Sequence, residues 1–196
     1  MGYYYDNGNN FISQIPTVTK NLVAINILMF IATLINENFM VANFAMFYPA
    51  SPFFKPWQIL THMFMHGGFW HIFFNMYSLL MFGSILERSL GPKKFLIFYF
   101  VTGLGAVALH MGVEWMQARV FIANGAAQAY QGLLVTPTLG ASGAIYGVLI
   151  GFAMLYPQAQ LMLIFPPIPV KAKWLVVIFA VIELFSGING IQDGVA

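Results

Sequence analysis

The residues best suited to chemistry in this chain are a serine, a set of histidines and an asparagine, and their spacing groups them. Ser142 stands in Leu139-Gly140-Ala141-Ser142-Gly143-Ala144-Ile145-Tyr146, at the head of an apolar run, with Tyr146 one helical turn further on. His62, His66 and His71 fall together in THMFMHGGFWHIFFNM, which also holds Asn75. Residues four apart share a helix face, so His71 and Asn75 present their donors side by side. A hydroxyl at a helix start lies beside free backbone N–H groups that carry partial positive charge. Such a hydroxyl, its own N–H and two side-chain donors at similar depth would form an oxyanion site for acyl transfer, with Gly143 leaving room for a substrate carbonyl. The chemistry suggested is peptide-bond hydrolysis.

Each part also has a plainer reading. A serine in an apolar helix commonly bonds back to its own carbonyls or packs as a small residue, and Gly143, Gly147 and Gly151 say only that another helix comes close. His62 and His66 have the i, i+4 spacing of metal ligands. No H-E-x-x-H pattern or carboxylate accompanies them, so hydrogen bonding between loop and helix fits them better. The chain has no cysteine, which excludes disulfides, thiolate metal sites and a cysteine nucleophile. Neither a metal nor a cofactor is expected.

The elements that must position these residues are membrane helices. Of 196 residues, 60% are apolar and only 7% charged, against about 45–50% and about 25% in soluble domains. So little polar surface defines an integral membrane protein, and a net charge of +2 gives no reason to expect a nucleic-acid partner. At about 20 residues per crossing, the length suits five or six spans. Apolar runs lie at about 22–36, 69–86, 95–113, 142–156 and 174–188. All are expected to be helical, because open sheet edges go unpaired in lipid. Residues 1–20 read as an N-terminal tail and 21–196 as one membrane domain. Segment 37–68, rich in Phe and Met but broken by Pro49, Pro52 and Pro56, is expected to lie in the membrane interface. Segment 114–140 reads as a polar loop, and the proline-rich stretch 165–169 as a turn towards the fifth span. With the N-terminus cytoplasmic, Lys20, Arg88, Lys93, Lys94, Lys171 and Lys173 lie inside and only Lys55 and Arg119 outside, as the positive-inside rule requires. His71 and Ser142 then begin their spans towards the same outer leaflet.

On Trp57-Gln58, His62, His66, His71, Asn75, Glu87-Arg88, Gly91 and Gly140-Ala141-Ser142-Gly143, the chain resembles the rhomboid family of intramembrane serine proteases over nearly all of 20–196. The resemblance implies an all-α polytopic bundle of six transmembrane helices, five of them present here, around a catalytic cavity open to the outer side. It implies Ser142 as nucleophile, with its own N–H, His71 and Asn75 as the oxyanion hole. Tyr146 would pack on a catalytic histidine, and Gly143, Gly147 and Gly151 would let the fourth and sixth helices approach. Glu87 and Arg88 would be structural. The substrates implied are single-span transmembrane proteins, and the expected setting is a bacterial plasma membrane. Gln58 departs from the Trp-Arg often found in the family's first loop, keeping hydrogen bonding but not charge.

A larger departure concerns the general base, a histidine that the family carries in its sixth span in an Ala-His-x-x-Gly context. No histidine follows His110, so the expectation is a C-terminally truncated chain whose base lies just past Ala196. The alternative is a catalytically inactive, rhomboid-like binder of transmembrane helices. His71 is committed to the oxyanion, and His110 has no sequence reason to reach Ser142. Residues 1–196 alone are expected to be inactive and unstable, with the glycine ridge left facing lipid.

Overall fold

The structure is a computed structural model that describes residues 14–162 and 169–178. Helix α1 spans Thr17–Ile35, and α2 spans Glu37–Phe44. A short helix α3, Gln58–Thr61, runs into a 3₁₀ turn, His62–Phe64. Helix α4 spans Phe69–Leu90, α5 Pro92–Ala123, α6 Ala127–Val135 and α7 Ser142–Leu155. Strands β1, Gln160–Met162, and β2, Pro169–Lys171, pair antiparallel with Leu161 opposite Val170. Residues 172–178 are helical. The fifth apolar run begins there, and its remainder lies outside the described residues, as do 1–13 and most of the proline-rich stretch.

Helices α1, α4 and α5 are long and apolar enough to cross a bilayer. The outside of the molecule is apolar, with Leu28, Leu34, Ile35, Leu109 and Met154 all exposed. The buried stripe of α1 carries Thr19, Asn26 and Thr33. Asn26 and Thr33 donate to carbonyls four residues back, Leu22 O at 2.7 Å and Met29 O at 2.9 Å, which ties both side chains to the helix's own backbone. This is an all-α polytopic membrane protein.

Two segments differ from the sequence reading, and one helix that agrees with it is short. The third span does not end at 113, since α5 continues to Ala123 and α6 follows after a turn at Gly125. Nothing in Glu114–Ala123 breaks a helix, and polarity alone does not end one. At 32 residues α5 is about 48 Å long, so it projects beyond a hydrocarbon core of about 30 Å. Helix α7 is the opposite case. Its 14 residues reach only about 21 Å, too short to span, so its neighbours must set its position. Segment 160–171 contains a short β-pair that the helical reading missed.

The glycine ridge is also placed differently from the expectation. It faces α5, not an absent helix. A Cβ at Gly143 would collide with Ala106, one at Gly147 with Thr102, and one at Gly151 would lie 2.9 Å from Phe98. Their bare backbone lets α7 and α5 make the most extensive helix pairing among the described elements. The ridge is therefore not left open to lipid.

Helix α4 widens into a π-helical segment at Leu79–Gly83. In a regular helix, positions four apart drift by about 40° per step. The wider turn absorbs that drift, so Asn75, Leu79, Gly83 and Glu87 are all buried. Glu87 then caps α1 from a neighbouring helix. Its carboxylate accepts from Val18 N at 3.0 Å, Thr19 N at 2.7 Å and Thr19 Oγ1 at 2.8 Å, satisfying donors that Pro16 cannot reach. Arg88 donates to Gln14 O at 2.7 Å. Both residues are structural, as the resemblance implies.

We expect Gly147→Val to destabilise the protein by about 1–3 kcal/mol, the usual cost of overpacking. Thermal unfolding in detergent, beside an exposed Ile150→Val control, measures it.

Candidate active site

The site is built from the 3₁₀ turn and loop ahead of α4, the first turns of α4, and the strand-like approach to α7. The first loop is packed, with Ala45, Met46, Phe47 and Tyr48 buried. Gln58 anchors it by accepting from Lys55 N at 2.9 Å and donating to Phe53 O at 3.1 Å and Ala42 O at 3.3 Å. An arginine has no acceptor to offer Lys55 N–H, so the neutral amide serves both sides where a charge would not. Trp57 Nε1 adds a bond to Asn43 O at 2.8 Å. Met63 then fills the notch at Gly103 of α5, where a Cβ would collide with it.

That loop reaches the serine through two backbone ties. Met46 and Thr138 exchange hydrogen bonds of 2.8 and 2.7 Å, and Gly140 N donates to His62 O at 3.0 Å. Gly140 has φ +137°, a conformation that favours glycine. A Cβ there would lie 2.9 Å from His71 Nε2 and 3.3 Å from Ser142 Oγ. The structure thus brings the His71 ring and the Ser142 hydroxyl onto the same small residue. Ser142 opens α7 with Ala141 as its N-cap and is buried. Asn75 is buried one turn beyond His71 on α4. Tyr146 lies one turn beyond Ser142, partly buried against the core. A cavity of about 40 Å³ adjoins Gly140, lined by His62, His110 and Thr138 among others, which is room for a water molecule.

The other histidines support this arrangement. His62 Nδ1 is 3.0 Å from Gln58 O, so that nitrogen carries the proton. Burial lowers the His62 pKa. The His66 ring meets the His71 ring edge-on, with centroids 4.9 Å apart. Neither His66 nitrogen nor His71 Nε2 has a hydrogen-bond partner among the described residues. Burial, then the neighbouring His71, pushes the His66 pKa down to about 3. Among the described residues, no cluster of three or more His, Cys, Asp or Glu is arranged to hold a metal.

His110 is the residue that sequence reasoning passed over. Its Nε2 lies 2.8 Å from Thr138 Oγ1 and 3.4 Å from Glu114 Oε1. The signal available was the i, i+4 pair His110 and Glu114 in a span otherwise free of charge at that depth.

A bundle of this kind, with a serine heading a short helix and a histidine of α4 turned onto the same glycine, defines a polytopic membrane protein. The family model described as Rhomboid domain matches residues 53–194, and the chain belongs to the rhomboid family. It is 34% identical over 112 residues to Rhomboid protein 1, mitochondrial, of Saccharomyces cerevisiae, covering 57% of this chain and 29% of that protein. It is 31% identical over 150 residues to Rhomboid protease GluP of Bacillus subtilis, covering 68% of this chain and 24% of that protein. Inactive RHOMBOID-like protein 8 of Arabidopsis thaliana is 38% identical over 48 residues, covering 24% of this chain and 14% of that protein. The chain thus spans well under half the length of these relatives.

A histidine kept neutral by burial is neutral in both folded and unfolded chains above its unfolded pKa of about 6.5; below it only the unfolded chain takes up the proton, so the fold loses stability as pH falls. For His66 the window runs from about 6.5 down to about 3. Lowering pH from 6.5 to 5 should cost about 2 kcal/mol. Unfolding midpoints should vary less steeply across that range in His66→Phe.

Proposed function

We propose that the intact gene product is an intramembrane serine endopeptidase acting on single-span transmembrane proteins. The observation that carries this reading is the convergence of the His71 ring and the Ser142 hydroxyl on Gly140. In the proposed reaction Ser142 Oγ attacks the scissile carbonyl carbon. Its proton passes to a histidine of a sixth span beyond this chain. The carbonyl oxygen becomes an oxyanion that accepts from Ser142 N–H, His71 Nε2–H and the Asn75 amide. Collapse expels the amine, which takes the proton from that histidine, and water then hydrolyses the acyl-serine. Tyr146 would pack on the incoming histidine ring.

Membrane placement supports the reading. Because α7 is shorter than the bilayer is thick, Ser142 can sit below the membrane surface, at the depth of a substrate helix. The substrate helix must unwind locally there, since a peptide bond inside a helix is shielded. The basic residues favour a cytoplasmic N-terminus and a site open to the outer side.

The likeness to Inactive RHOMBOID-like protein 8 supports a second reading, a non-catalytic rhomboid-like binder of transmembrane helices. One experiment separates the two. The protein from the complete reading frame, in proteoliposomes with a model single-span substrate, should cleave it, and Ser142→Ala should lower the rate by about a thousandfold or more. Equal product from both proteins would sink the endopeptidase. Binding without cleavage by the wild type would establish the second reading.

A further inference from the structure

We propose that His110, oriented by Glu114, is a positioning residue for Ser142: it tethers Thr138 and so sets the backbone that leads through Gly140 to the nucleophile. The proposal rests on the serine endopeptidase reading above.

The tether is one side of a bracket. Ser142 lies between Thr138 and Gly143, and both meet α5. Thr138 does so through His110, and Gly143 does so through its close approach to Ala106, one turn earlier on the same helix. Close packing holds the Gly143 side. On the Thr138 side, the two backbone ties run to the first loop, at Met46 and His62. His110 supplies the side-chain hydrogen bond from α5 to this segment. Without it, the approach to Ser142 would be referenced to the loop but not to the helix that seats α7.

The proton inventory follows from Glu114. Its carboxylate is buried, and Oε1 faces the same His110 nitrogen that meets Thr138. A lone pair on Nε2 would confront that carboxylate and be repelled. A proton on Nε2 is attracted to it and can be donated to Thr138 Oγ1. Glu87, the other buried carboxylate among the described residues, is spent on α1. Among the described residues Glu114 has no comparable set of backbone donors, and its Oε1 lies 3.4 Å from His110 Nε2. Tyr48 of the first loop lies within its field: burial, Tyr130 and Glu114, in that order, push the phenol pKa up.

The test is a double-mutant cycle on the protein from the complete reading frame, with steady-state cleavage of a single-span substrate and amide hydrogen exchange of residues 138–141. His110→Ala and Thr138→Val should each lower kcat roughly tenfold, the loss expected for one hydrogen bond, with KM within about twofold. The double variant should be no slower than either single one. His110→Gln, which keeps an N–H donor, should recover most of the rate. Exchange at 138–141 should accelerate in His110→Ala but not in His110→Gln. Multiplying losses in the double variant, or unchanged exchange in His110→Ala, would overturn the tether. If the wild type cleaves nothing, the endopeptidase reading fails by that result, and the exchange data still decide whether His110 holds the segment.

Discussion

The close approach of α5 and α7 is the constraint on which the rest of the structure depends. Lipid is as apolar as a leucine side chain, so helices in a bilayer gain little from burying apolar surface against each other. They gain instead from dispersion contacts, and those require backbones to come near. Gly143, Gly147 and Gly151 make that possible by offering no Cβ to Ala106, Thr102 and Phe98. Helix α7 cannot be located by the membrane, because it is shorter than the hydrocarbon core. Its register against α5 is therefore what sets the depth of Ser142. The first loop uses the same helix at Gly103, where Met63 seats. One helix thus references both halves of the candidate site.

Two buried carboxylates divide the remaining polar work. Glu87 closes the start of α1 by accepting three hydrogen bonds, which joins the first and second spans where α1 has no side-chain cap of its own. The π-helical turn at Leu79–Gly83 keeps Glu87 on the face that also carries Asn75, so the anchored end and the chemical end of α4 are one continuous surface. Glu114 sits on α5 near the site and faces His110. Both carboxylates lie inside a molecule whose outer face is apolar, where an unmatched charge would cost several kcal/mol.

Much of this was legible in the sequence. The apolar runs gave the spans of α1 and α4 within a few residues, because in lipid every backbone group must be paired within a helix. His71 and Asn75 could be assigned to one face, and Ser142 to a helix start, because spacing and the glycines around Ser142 speak directly to helix geometry. The end of α5 was not legible. Gln117 and Arg119 look like loop residues, yet a helix leaving the membrane tolerates them. The partner of the glycine ridge was not legible either, since three small residues announce a close approach without naming what approaches. That His110 reaches Thr138 was not legible either, because the bond joins residues 28 apart in the chain.

The sequence by itself determined the class of protein, the family, and the residue types available for chemistry, since composition, helical period and local motif depend on neighbours along the chain. Only the tertiary structure decided that the ridge packs on α5, that Gln58 anchors the first loop through backbone groups, and that His71 and Ser142 meet over Gly140. It also decided that His110 reaches the approach to the serine. Each of these is set by which helix faces which, and at what distance. That depends on side-chain volumes and on where donors find acceptors across the bundle, and no pattern along one strand of sequence encodes it.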